Sequence, residues 1–364
     1  MTTPAPPTTP TGPPEGHAPA WERPRARPLR AARILNGVAV DDTFAEAFPM
    51  KATRILITAH NLTWARHAAM SATGFATSVI ACGCEAGIER EVGPDDTPDG
   101  RPGYSVLIFS MSAKELAKQV ERRVGQCVLT CPTTAVFAGL PVSPALAGSA
   151  GRPPEGAQAL VPPGHGQLGG EVIGLGRNLR FFGDGWQISK VINGVRYWRV
   201  PVMDGEFVAQ ETTTLTKAVG GGNLLILATD TDAALRIAEA AVDAMRRLPN
   251  VVMPFPGGVV RSGSKVGSKY AALPASTNAA FCPGLYGLAA ESEITPDVHC
   301  VLEIVIDGLT EADVGAAMLA GMRACLEIGA AGGLRRISAG NYGGKLGPYL
   351  FHLHQLLGTQ GGGT

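Results

Sequence analysis

Charge is what this chain has least of. Only 17 % of its 364 residues are charged, and 31 basic residues balance 31 acidic ones. With no net field of either sign, composition supplies no pull toward nucleic acid or a membrane surface. Long apolar runs are missing too, since none approaches the ~20 residues that cross a bilayer as a helix. The N-terminal stretch is proline-rich with basic residues late, and it lacks the apolar core of a secretory leader. Seven cysteines (Cys82, Cys84, Cys127, Cys131, Cys282, Cys300 and Cys325) are scattered without a C-x-x-C pair. That pattern is neither a disulfide framework nor a metal knuckle, and it fits buried thiols in a reducing cytoplasm. No G-x-G-x-x-G opens a helix after a strand, which removes the dinucleotide fingerprint. The run GVVRSGSK at 258–265 has Ser264 ahead of Lys265, the reverse of phosphate-loop order, and no helical pattern follows it.

What is present is apolar residue (45 %) and glycine (47 residues), the profile of a large buried core with many tight turns and buried subunit contacts. Residues 1–32 cannot bury enough apolar surface to offset ordering and read as a disordered tail. A second Gly/Pro-rich segment, 141–170, reads as an inserted surface loop. Between and after them, strand and helix patterns alternate twice. In the first half, 52–59 is a strand, 63–75 a helix, 77–84 and 105–111 strands, and 112–128 an amphipathic helix with Ser112 as cap and Glu115 completing a capping box. In the second, strand 223–230 leads into helix 231–248, and strand 299–309 into helix 310–329, capped by Thr310 and Asp313. Each half therefore reads β-α-β-β-α-β. Asp-Gly and Asn-Gly turns across 179–208 mark antiparallel hairpins. The fold expected is α/β (α+β): two ferredoxin-like split βαβ lobes joined by antiparallel hairpins, with an N-terminal lobe over 33–178 and a C-terminal lobe over 179–358.

Two glycine-dense loops stand out, 253–285 and 338–347 (SAGNYGGKLG). The first keeps Phe255, Val259, Val260, Val266, Tyr270 and Phe281 among its glycines, so it reads as an ordered binding loop rather than a linker. Glycines and lysines together point to an extended anionic ligand held by backbone amides. On strand 299–309 alternation puts Val301, Glu303, Val305 and Asp307 on one face. A glutamate between valines is desolvated if that face is covered, and then suits proton transfer near neutrality; on an open edge strand it is an ordinary surface acid. Cys282 is a second candidate, as a nucleophile, without an evident histidine to activate it. His60, Trp64 and His67 fall on one predicted helix face, and His352 and His354 on one strand face; both sets read as structural or interface groups.

The stretches ILNGVAVDDTFAEAF (34–48), RILITA (54–59), ATGFATSVIAC (72–82), DDTPDGRPG (95–103), RVGQCVLTCPT (123–133), FFGDGW (181–186), PFPGGVVRSGSKVGSK (254–269), LPASTNAAFCP (273–283) and ISAGNYGGKLG (337–347) together resemble the formylmethanofuran:tetrahydromethanopterin formyltransferase family. The resemblance runs in order over residues 33–357. It implies a two-lobed α/β enzyme, assembled as a homotetramer, that moves a formyl group between the methanofuran amine and N5 of tetrahydromethanopterin. Both carriers act as substrates, and no tightly bound cofactor or metal is implied. Related bacterial chains serve in a formyltransferase/hydrolase complex that takes formaldehyde-derived carbon to formate, so other subunits of such a complex are implied partners. Glu303 matches by position the glutamate associated with proton donation in the family. Lys265, Lys269 and Lys345 would face substrate carboxylates and phosphate, and Ser264, Asn278 and Asn341 would be polar anchors. The competing expectation is a non-catalytic pterin-binding scaffold for a partner hydrolase, motivated by the Pro-rich tail.

Overall fold

The computed structural model describes residues 30–139, 171–273 and 275–358. The whole 141–170 insertion and all of the proline-rich tail except 30–32 lie outside them. Within 30–32, Arg30 already bonds Glu293, and Ala32 opens a strand, so ordered chain begins inside the stretch expected as tail.

The first half contributes strands β1 (Phe44–Thr58), β2 (Cys84–Val92), β3 (Gly103–Ser110) and β4 (Ala135–Ala138), with helices α1 (Leu62–Thr73) and α2 (Ala113–Arg123). The second contributes β5 (Thr212–Ala228), β6 (Val251–Val252), β7 (Cys300–Gly308) and β8 (Leu334–Ser338), with α3 (Thr231–Arg246) and α4 (Glu311–Ile328). In the first half β1 pairs with β4 and β3, and β3 pairs with β2. In the second β5 pairs with β8 and β7, and β7 pairs with β6. Both quartets are antiparallel and run fourth, first, third, second.

The helices start where side chains satisfy free amides. Ser112 accepts from the Glu115 amide at 3.2 Å, Asp230 from Ala233 at 2.8 Å and Thr310 from Asp313 at 3.1 Å. Helix α3 buries Ala234, Ile237, Ala241 and Met245, and α4 buries Val314, Ala317, Met318 and Met322, at the spacing of one helix face. Small residues let these helices approach: a Cβ on Gly321 would lie 2.0 Å from Met245 Cε. Both pack on β5 and β7 around Leu224, Ile226, Ile304 and Ile306.

Three expectations are corrected. The hairpins over 188–210 do not join the halves; Val208 pairs with Ala135, so they extend the first sheet beyond β4. The halves join directly, with β1 and β5 antiparallel from Leu215↔Thr53 to Gly220↔Phe48, because both strands are long enough to pair beyond their own quartets. The run 77–84 is not one strand. Ser78 caps a single helical turn, Val79–Cys82, and Gly83 at φ 77° turns the chain into β2. A short apolar run fits either period, and the cap decides. His60 precedes the α1 cap Asn61, and His352 ends a strand while His354 sits in the turn that follows, so neither histidine set shares one face.

Candidate active site

A cleft of about 710 Å³ opens along the seam between the halves. Its first-half wall carries Glu46, Phe48 and Met50 of β1, the capped turn at Thr77–Ile80, and Glu85. Its second-half wall carries Gly220 and Asn223 of β5, Glu303 and Val305 of β7, and both glycine-dense loops.

Glu303 reaches this cleft because β7 alternates. Leu302, Ile304 and Ile306 turn toward α3 and α4, so Glu303 and Val305 face the other way. The face is half-buried in the cleft wall rather than open. Val260 of the first loop makes both main-chain bonds to Glu303, N to O at 2.7 Å and the reverse at 2.9 Å, which clamps that loop against β7. Among the described residues no group hydrogen-bonds the Glu303 carboxyl, and burial raises its pKa to about 7. Desolvation without a compensating partner leaves an acid half-protonated near neutrality.

The 253–285 loop is ordered by a small hairpin, Ser264–Val266 against Ala275–Thr277, which the sequence pattern did not announce. It brings Ser264, Lys265 and Asn278 to the cleft. Lys265 Nζ lies 3.3 Å from Glu291 Oε1, both groups well exposed. The Cys282 thiol donates to the Asn278 carbonyl at 3.2 Å, and no histidine touches it among the described residues.

The 338–347 loop departs from expectation. Its amides do not face the cleft to hold an anion. They face inward onto Glu46, whose carboxylate accepts from Tyr342 (2.7 Å), Gly344 (2.9 Å), Leu346 (2.6 Å) and Gly347 (2.7 Å). Glu46 is 1 % exposed, beneath a single layer of loop. Burial works to raise its pKa, but the four amide bonds together outweigh it and hold the acid ionised. Asn223 braces the loop's start, accepting from the Gly340 amide at 2.6 Å and donating to its carbonyl at 3.0 Å. Asn341 lines the cleft, yet its Nδ2 donates to the Phe44 carbonyl at 3.0 Å and its Oδ1 accepts from Gly343 at 3.1 Å, so its amide ties the loop to β1.

Of the residues singled out from sequence, Glu303, Ser264, Lys265, Asn278 and Asn341 line one cleft, whereas Lys269 and Lys345 are outside it, both exposed. Sequence reasoning missed Glu46, Asn223, Arg30 and Glu293. Each acts through a partner far along the chain, so no local pattern marks them. Arg30 meets Glu293 at 3.1 Å, and Glu293 in turn meets buried Arg336, which also holds Asp41 at 2.8 Å.

A further acid pair closes the deep end. Asp307, fully buried on β7, lies against Glu85 from the first half, and its Oδ1 accepts from Gly221 at 3.0 Å. Gly221, at φ 92°, sits in the bulge of β5 that aims its amide there. Among the described residues Asp307 Oδ2 has no hydrogen-bond donor, and a proton shared with the adjacent Glu85 carboxyl would satisfy it. Desolvation raises both pKa values, and for Asp307 the adjacent Glu85 adds to the rise. Because folding raises these pKa values, the pair supports the fold fully below the ordinary carboxylate range and loses that support as pH climbs through the raised values. Asp307→Asn keeps the acceptor for Gly221 and gives Glu85 a permanent donor. Its melting temperature is expected to exceed the parent's at about pH 9 and to converge with it near pH 5; a parent equally stable at about pH 9 by calorimetry contradicts the pairing.

Comparison with known proteins places this architecture. A sequence model described as formylmethanofuran-tetrahydromethanopterin formyltransferase matches residues 34–149, and one for the proximal lobe of the same family matches 205–356. The chain is 62 % identical to the formylmethanofuran–tetrahydromethanopterin formyltransferase of Methylococcus capsulatus over 89 % of its own length and 99 % of that protein. It is 47 % identical to a protein of Methylorubrum extorquens named as a subunit of the formyltransferase/hydrolase complex, over 89 % of this chain and 97 % of that one. Among solved structures it superimposes with a TM-score of 0.80 and 46 % identity on a chain of the formyltransferase/hydrolase complex from Methylorubrum extorquens in complex with methylofuran, covering 90 % of this chain and 99 % of that one. On this similarity, which spans both halves and the seam where the cleft lies, the chain belongs to the formylmethanofuran–tetrahydromethanopterin formyltransferase family.

Proposed function

We propose that this chain transfers a formyl group between the amine of methanofuran, or a close analogue, and N5 of tetrahydromethanopterin, with Glu303 as the acid–base group. The observation that carries the reading is a carboxyl without a hydrogen-bond partner among the described residues, its pKa raised to about 7, in a cleft built from both halves of the chain. Exchange of an amide for an amine breaks no high-energy bond, so alignment of two large carriers does much of the work, worth ~7–11 kcal/mol when well oriented. The attacking nitrogen loses a proton and the leaving nitrogen gains one. Glu303, protonated, gives its proton to the leaving aliphatic amine while the attacking nitrogen's proton passes to solvent, and in the reverse direction the carboxylate takes a proton from that amine.

Ser264, Asn278 and Lys265 touch the substrates in this reading, supported by their position in the cleft lining, with the ammonium as a counter-charge for a carboxylate or phosphate once it releases Glu291. Lys269 serves the same role only for a substrate tail that leaves the cleft. A homotetramer, or a place beside the other subunits of a formyltransferase/hydrolase complex in formaldehyde oxidation, is supported by an apolar surface with Phe182 and Met203 beside an open hollow of about 690 Å³, and with Phe181 and Trp186 also exposed. No helix of the described residues is long and apolar enough to cross a membrane.

The test is an assay of the purified chain with formyl-tetrahydromethanopterin and a furfurylamine acceptor. Formyl transfer without partner subunits is expected. Tight pterin binding with no transfer would favour the scaffold instead.

A further inference from the structure

We propose that Glu46 is the positioning residue of this site: it seats the 340–347 loop as a rigid wall beside Glu303, so that the loop offers substrate the ring of Tyr342 and the side chain of Leu346 rather than its amides. The inference rests on the reading of Glu303 as the acid–base group.

A glycine-dense turn of this kind is ordinarily a place where an outside anion settles on inward-pointing N–H groups. Here the anion is internal. Glu46 engages both carboxylate oxygens with the amides of Tyr342, Gly344, Leu346 and Gly347, at 2.6–2.9 Å. Those donors are therefore occupied before any ligand arrives. What the loop turns toward the cleft is Tyr342, half-exposed, with its ring 6.1 Å from that of Phe48 behind it. Such a surface accepts a flat ring or an apolar chain, and the anionic parts of a substrate must find their partners elsewhere. Gly347 makes the seating close: a Cβ there would lie 2.2 Å from the Ala47 carbonyl oxygen, which only glycine allows.

The wall also shields Glu303. The phenol of Tyr342 feels both Glu303 and Glu46, after burial itself, as causes of its raised pKa. The charged and titratable groups lining the same cleft are Arg30, Glu46, Glu85, Lys265, Glu293 and Tyr342. Loosening the loop admits water to Glu303 without altering any group bonded to it.

The experiment compares Glu46→Gln and Gly347→Ala in the intact chain. Gln turns an NH2 toward amide donors, while Ala pushes the loop off β1 with the Glu46 charge retained. Both variants are expected to lower kcat at least tenfold and to move the alkaline limb of the pH–rate profile downward by a pH unit or more. Amide exchange should quicken at 342–347 and stay unchanged in β5 and β7. A Glu46→Gln enzyme with kcat within twofold and an unmoved limb overturns the proposal. So does a limb that moves in Glu46→Gln but not in Gly347→Ala, since the charge would then act directly. If Glu46→Gln fails to fold, Gly347→Ala decides alone by the same readouts. Failure of the underlying reading is distinguishable, because it shows as an active Glu303→Gln enzyme whatever the loop variants do.

Discussion

Glu303→Gln is expected to lower turnover by two decades or more while leaving the fold intact. The substitution is nearly isosteric, and the position's structural bonds are main-chain ones: the pairing with Leu225 and the two bonds to Val260. Among the described residues the carboxyl itself bonds nothing that holds the protein together. An amide in its place removes an acid that is costly to keep in the cleft, so the melting temperature should hold or rise slightly. What disappears is proton transfer, and positioned acid–base groups typically supply about 10²–10⁴ in rate. Steady-state kinetics with both carriers checks this. A kcat within threefold of the parent, with the same KM values, would remove Glu303 from the chemistry.

The second large effect is on pH. In the direction that expels the basic aliphatic amine, the acid must carry its proton when the carbon–nitrogen bond breaks. With a pKa of about 7, the protonated fraction of Glu303 falls tenfold for each unit well above neutrality. Turnover in that direction is therefore expected to fall about fiftyfold between roughly pH 7 and roughly pH 9. In the reverse direction the same group serves as base, so that limb should rise through the same pKa. Profiles measured both ways, with substrate saturating, check the pairing. Limbs that coincide in both directions would point to a group other than one shared carboxyl.

The elements most legible in the sequence are those specified by local chemistry. Ser112 and Thr310 announce two helix starts through side chains that can do little else next to an apolar period. The strand–helix alternation reports the α/β class for the same reason. The run at 77–84 resists local reading because a short, mostly apolar segment satisfies a strand and a helical turn equally, and the Ser78 cap with the Gly83 turn breaks the tie. Glu303 is half legible. Alternation gives its face, but the cover comes from Val260, distant in sequence, and from Tyr342 beyond β8.

The 338–347 loop shows where local reading stops. Its glycines say that amides converge, and the sequence does not say on what. The partner of the Leu346 amide is Glu46, 300 residues earlier, in a strand whose neighbours Ala45 and Ala47 look like ordinary core. Without that pairing, an outside anion is the natural inference, and the lysines point the same way. Lys345 is instead exposed and outside the cleft, on a loop wrapped around its own acid.

The central claim is that a shielded carboxyl at position 303 holds its proton near neutrality. Its most direct test is a pH titration followed by carboxyl-region infrared difference spectroscopy, wild type against Glu303→Gln. The account expects a protonated carboxyl band that is lost in the variant and titrates near pH 7 in the parent. A band that titrates in the ordinary carboxylate range, about 4 to 4.5, would contradict it.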